Sequence, residues 1–142
     1  MNWLPDINFW LALTFSGHSH HPAALAWFDR ADPGSCAFCR MTQQGFLRLA
    51  SNPAVFKSDA LTMGDAWEAC ETLFSDERVG FLAEPPGIES DWRSWTFSEA
   101  FSPKVWNDAY LAAMAKGAGV KLVSFDRGFE QFVGLEWVLL GK

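Results

Sequence analysis

Basic residues are scarce in this chain of 142 residues: 11 lysines and arginines stand against 17 aspartates and glutamates, a formal net charge of −6. Affinity for a nucleic-acid backbone comes largely from such cations. A protein of this composition that handles nucleic acid needs another source of positive charge, for instance a bound divalent metal. The surplus acid also suits a basic protein partner. Cysteine is equally scarce, at three residues, and an odd number without repeated spacing excludes a disulfide framework. No apolar run approaches the roughly 20 residues that span a bilayer, and the apolar N-terminal stretch is interrupted by Pro5, Asp6 and Asn8, so neither a membrane segment nor a signal peptide is read. The expectation is a cytoplasmic protein. Repeats, linkers and low-complexity segments are lacking too. One domain over residues 1–142 is therefore expected, a length within the usual domain range of about 100–150 residues.

What is present is enough apolar material for a sizeable core, 49% of the chain, patterned in alternating strand-like and helix-like stretches. Strands are predicted over 2–5, 35–38, 78–83, 121–125 and 135–140. Helices are predicted over 7–15, from Pro22 to about Arg30, over 42–51, 62–75 and 88–100, around Asp108, and briefly over 127–132. Asp32-Pro33-Gly34, Asn52-Pro53 and Pro85-Pro86-Gly87 punctuate the pattern. Strands alternating with helices predict an α/β fold with a parallel sheet covered on both faces.

Three aspartates stand at the edges of these apolar elements. Asp6 follows Trp3-Leu4, Asp126 follows Leu122-Val123-Ser124-Phe125, and Asp108 lies near the start of a helix whose apolar positions recur at three and four. Carboxylates converging on one point are what hard cations such as Mg²⁺ and Mn²⁺ require. The C-terminal edge of an open α/β sheet offers such a point. Two other groups are read as structural. Cys36 and Cys39 form a CxxC that supplies only half of a zinc site, and His18, His20 and His21 occupy a turn and a helix start. The eight tryptophans are read as core and helix-packing residues, an exposed one being able to stack on a base or fill a dimer interface.

Four phrases in this order carry a resemblance: Asp6-Ile7-Asn8 after the first strand, Thr42-Gln43-Gln44-Gly45-Phe46-Leu47-Arg48, Asp108-Ala109-Tyr110, and Ser124-Phe125-Asp126-Arg127-Gly128-Phe129. Together they resemble a PIN-domain ribonuclease of the VapC toxin type, over nearly the whole chain. The phrases HSHHPAALAWF and TQQGFLRLASNP add to the likeness. The resemblance implies a three-layer α/β/α sandwich with a central, mainly parallel sheet. It implies Mg²⁺- or Mn²⁺-dependent hydrolysis of RNA phosphodiesters, a VapB-like antitoxin encoded alongside, and a homodimer. No membrane association and no DNA binding by this chain alone are expected. By matching position, Asp6, Asp108 and Asp126 would be catalytic metal ligands, with Asn8 and Ser124 beside them as polar supports. Arg48 and Arg127 are candidate phosphate contacts, since guanidinium groups bind phosphate through paired hydrogen bonds.

One departure stands out. Many members carry a glutamate in the helix after the second strand, whereas this chain has Gln43, Gln44 and Gly45 there, with no acid from Ala37 to Ser58. A glutamine carbonyl can ligate a hard cation but brings no charge, so weaker metal affinity and one tightly held ion are expected. The alternative is a PIN-like domain of weakened catalysis that binds RNA or protein. A receiver-type phosphoacceptor domain fits less well, because it needs paired acids near the first strand.

Overall fold

The computed structural model describes residues 1–141; Lys142, the end of the expected domain, lies outside the described residues. Five strands, β1 (Trp3–Pro5), β2 (Cys36–Phe38), β3 (Val79–Phe81), β4 (Lys121–Ser124) and β5 (Trp137–Leu139), form one all-parallel sheet in the order β3-β2-β1-β4-β5. Seven α-helices connect and cover them: α1 (Ile7–Thr14), α2 (His21–Phe28), α3 (Arg40–Ala50), α4 (Pro53–Phe56), α5 (Met63–Ser75), α6 (Ile88–Thr96) and α7 (Pro103–Ala118).

The two-residue period of the strands divides the core into two layers. Cys36 and Phe38 point into one, where Phe9 and Trp10 of α1, Phe28 of α2, Phe46 of α3 and Cys70 of α5 are buried. Trp10 stacks on Phe38 with ring centroids 4.1 Å apart. Leu4, Ala37 and Leu122 point into the other, against Ile88 of α6 and the buried alanines and Met114 of α7. Helices on both faces of a parallel sheet make the expected three-layer α/β/α sandwich.

The strand order has a consequence for function. From β1 the chain steps outward to β2 and β3, then returns to lay β4 against the other side of β1. The order therefore reverses between β1 and β4, and in open parallel sheets ligand crevices form outside the carboxyl ends of the strands at such a reversal. Asp6 directly follows β1, and Asp126 lies two residues past β4.

Several element boundaries differ from the sequence reading, for local reasons. Helix α3 begins at Arg40, two residues before the predicted start, because Thr42 sits at its third position and its hydroxyl accepts from the Cys39 N–H at 2.9 Å. Helix α6 stops at Thr96, four residues short of the prediction, and Phe97 and Phe101 beyond it are 86% and 83% exposed. With no surface to cover them, the last predicted turn has nothing to hold it. The stretch 127–132 is a 3-10 turn (Arg127–Gln131), and α4 was not anticipated. No helix among the described residues is long and apolar enough to cross a membrane.

Candidate active site

At the reversal between β1 and β4 the backbone itself aims the acids. Asp6 terminates β1 and caps α1: its Oδ1 accepts from the Ile7 N–H at 2.7 Å, satisfying one of the free donors of the helix start. Its Oδ2 accepts from the Ser124 hydroxyl at 2.9 Å. That hydroxyl, wholly buried at the end of β4, is a small hub. It accepts from Asn8 Nδ2 at 3.1 Å and from the Asp126 N–H at 3.0 Å while donating to Asp6. Asn8 is fixed in turn by the Phe125 N–H. Asp126 caps the following 3-10 turn through the Gly128 N–H, at 2.8 Å. Asp108, on the second turn of α7, completes the group.

Asp6, Asp108, Gln44, Gly45, Arg48 and Lys104 line one cleft of about 230 Å³. Lys104 was not anticipated as a site residue. Its ammonium donates to Asp108 Oδ2 at 2.6 Å and also to Asp126 Oδ2. The acids respond to this setting. Burial, helped by the charges of Asp108 and Asp126 and opposed by the bonds from Ser124 and Ile7, pushes the Asp6 carboxyl up to about 6. Burial also raises Asp108 against the pull of Lys104. Burial works upward on Asp126 as well, but Lys104 and the Gly128 N–H outweigh it and hold this carboxyl below its usual range. Lys104 is pushed up to about 12, because its bonds to the two carboxylates overcome its own desolvation.

The other residues singled out from the sequence divide. Gln44 and the exposed Arg48 face the cleft. Gln43 turns away, buried with its amide toward Cys70 and its carbonyl taken by Arg40. Arg127 is exposed and pairs with Glu130 at 3.7 Å. Gly45, next to Gln44, lets α3 lie close against α1: a Cβ there would meet the Ile7 side chain, 2.2 Å from Cδ1, and Ile7 would have to move. Cys36 and Cys39 belong to cores on opposite faces of the sheet and cannot share an ion. The histidine turn is closed by its own contacts, the His20 N–H to His18 Nδ1 at 3.0 Å and His21 Nδ1 with the Ala12 carbonyl at 2.8 Å. Distant from the acids in sequence, His20 nonetheless stacks on Phe125, next to Asp126.

The donor chemistry fits a hard divalent cation: three carboxylates are brought to one sheet edge with a single ammonium bonded to two of them, and Asp6 is held back from ionising chiefly by burial, with the charges of Asp108 and Asp126 adding to it. The spacing is not that of a closed ligand shell. Among the described residues no three acid, histidine or cysteine side chains are grouped closely enough to hold an ion. Asp108 and Asp126 are instead drawn to Lys104.

Comparison with known proteins accords with this geometry. The PIN domain family model matches residues 4–135. Ribonuclease VapC41 of Mycobacterium tuberculosis is 46% identical over 144 residues, covering 98% of this chain and 99% of the relative, and Ribonuclease VapC38 of the same organism is 31% identical over 88% and 85%. Among solved structures, M. tuberculosis VapC20, described as a Sarcin-Ricin loop cleaving toxin, superposes with a TM-score of 0.69 at 17% identity over 94% of this chain and 96% of its own. VapBC-1 from nontypeable Haemophilus influenzae gives 0.69 at 17% identity over 98% of both chains. By its matched model and its full-length relatives, this chain belongs to the PIN-domain family and, within it, to the VapC ribonucleases.

Proposed function

We propose that this chain is the toxin of a VapBC-type toxin–antitoxin pair, an endoribonuclease that hydrolyses RNA phosphodiester bonds with Mg²⁺ or Mn²⁺ and blocks translation and growth until a VapB-like antitoxin neutralises it. The observation that carries the reading is the meeting of Asp6, Asp108 and Asp126, from β1, α7 and the end of β4, at the reversal of strand order, with Ser124 tying Asp6 to Asp126. Asp6, Asp108 and Asp126 would hold the ion. When bound, it supplies positive charge for the scissile phosphate and acidifies a water.

The chain's own residues account for the rest. Asp6 is pre-oriented by the α1 N-terminus and Ser124, so its carboxylate needs little rearrangement to act. Asn8 fixes Ser124 and so indirectly both acids. Arg48, which lines the α3 wall of the cleft, would take phosphate oxygens, and Gln44 beside it would offer a neutral oxygen or an amide donor. Arg127 would need to leave Glu130 to reach substrate. With no acid on α3, one ion is tightly held. A homodimer is supported by the exposed Phe97, Phe101 and Trp106, an apolar patch of a kind that monomers seldom leave bare. RNA as substrate implies a cytoplasmic location, and promoter DNA is left to the antitoxin.

A second reading, a binding module of weakened catalysis, is favoured by the ammonium between Asp108 and Asp126 and by the missing acid on α3. Incubating RNA with the purified chain in millimolar Mn²⁺ separates the two. The toxin reading expects defined fragments, lost in Asp126→Asn; intact RNA alongside unaltered RNA binding would favour the module.

A further inference from the structure

Lys104 occupies a position that helix energetics do not explain. It is the second residue of α7, after Ser102 as cap and Pro103, so its positive charge sits at the positive end of a sixteen-residue helix dipole. Such placement is unfavourable. The first turn of α7 carries no acid to offset it. The order Lys104 then Asp108, four residues on, is also the weaker orientation for a helical ion pair. What holds the ammonium is the pair of half-buried carboxylates, Asp108 on its own helix and Asp126 across the cleft, each bonded through Oδ2. These are two of the three acids proposed to take the ion. Because the Lys104 side chain is 61% exposed, its stem is free to swing outward without disturbing the core.

We propose that Lys104 is an exchangeable internal cation that bridges Asp108 and Asp126 in the metal-free protein and must be displaced before a divalent ion is held, so that it sets the metal concentration at which the site fills. The inference rests on the reading of the three aspartates as metal ligands. It accounts for a cleft whose donors are right for a hard cation yet are not gathered as a ligand shell: the ammonium already occupies the space between two of them. Ion and ammonium would compete for the same two carboxylates, and two charge-assisted hydrogen bonds to partly exposed acids oppose metal entry by an amount equivalent to about tenfold in affinity.

The test is binding of Mn²⁺ alone, followed by calorimetry or by loss of the free-ion paramagnetic resonance signal, in the full chain and in Lys104→Met, Lys104→Gln and Lys121→Met. Lys121 begins β4 at the opposite edge of the sheet, so its variant makes the same change in net charge away from the site. The expected result is Mn²⁺ bound about tenfold tighter in both Lys104 variants and within about twofold of the original in Lys121→Met. Without metal, both Lys104 variants melt at lower temperature and regain the difference on adding Mn²⁺. Unchanged or weaker binding in the Lys104 variants overturns the proposal, as does equal tightening in Lys121→Met, or no Mn²⁺ binding by any of the proteins. Tighter Mn²⁺ binding by the Lys104 variants without RNA cleavage by the original chain leaves the exchange standing and removes the nuclease reading instead.

Discussion

At the scale of single residues, Asp6, proposed as a metal ligand, is where function and stability would oppose each other. Its carboxyl is pushed up to about 6 from an ordinary 3.8, so ionising it costs the folded protein more than the unfolded chain. Without metal, stability therefore declines as pH rises from about 4 through about 6 and stays lower above. Asp6→Asn keeps a good helix cap and cannot ionise. Its thermal melt above pH 6 should be a few degrees higher than the parent's, while metal-dependent RNA cleavage falls at least about a hundredfold, the exchange of stability for activity common at catalytic acids. Ser124→Ala should leave the fold intact and lower kcat about 10–100-fold, the usual range for losing a support of metal ligands, as steady-state cleavage assays would measure. Asp6, Asp108 and Asp126 were legible because each interrupts or ends an apolar run. Lys104 was not: in sequence it is an ordinary helix lysine four residues before an aspartate, and its bond to Asp126 exists only because α7 packs back against β4 and the turn that follows it. Gln43 and Gln44 could not be separated either. Their difference depends on the phase of α3, which sends Gln43 to Cys70 and Gln44 to the cleft.

At the scale of elements, the site depends on how closely α1 and α3 approach. A Cβ at position 45 would press on Ile7 Cδ1 and Cγ1, at 2.2 and 2.9 Å, directly beside the Asp6 cap. Gly45→Ala is expected to cost about 1–2 kcal/mol by denaturant unfolding. Shortening the neighbour in Gly45→Ala with Ile7→Val should recover part of that, a non-additivity that a double-mutant cycle would measure. The opposite, N-terminal end of the strands is secured differently. Arg78 donates to Asp76 through both Nε and Nη2, lies over the Phe28 ring at 4.0 Å and reaches the Phe28 carbonyl, joining the start of β3 to the end of α2. These bonds, chiefly the Arg78 side chain, hold the Asp76 carboxyl down at about 2. A depressed carboxyl contributes stability that is complete above about 4 and is lost as pH falls through about 2. Asp76→Asn should therefore flatten the acid limb of the pH–stability curve and cost about 1 kcal/mol at neutral pH. Element types were readable from periodicity, whereas several ends were not, since they are set by caps such as Cys39 with Thr42 and by whether a residue like Phe97 finds anything to cover it.

At the scale of the whole molecule, the net charge of −6 is compatible with the proposed RNA substrate because an ion held by Asp6, Asp108 and Asp126 would reverse the sign of the charge locally, whatever the acids elsewhere contribute. The alternation of strands and helices made the parallel sheet legible, but the order β3-β2-β1-β4-β5 comes from long-range packing, and it is that order which brings residues 6, 108 and 126 to one crevice. Millimolar Mg²⁺ or Mn²⁺ should raise the melting temperature of the chain, and raise it far less in Asp108→Asn, as expected when a ligand binds only the folded state. The most direct measurement is cleavage of RNA by the purified chain in Mn²⁺ and in chelator, side by side with Asp6→Asn and Asp126→Asn. The account predicts discrete fragments from the original chain with metal, none with chelator and none from either variant. Intact RNA in every lane, or equal cleavage by Asp126→Asn, would contradict it.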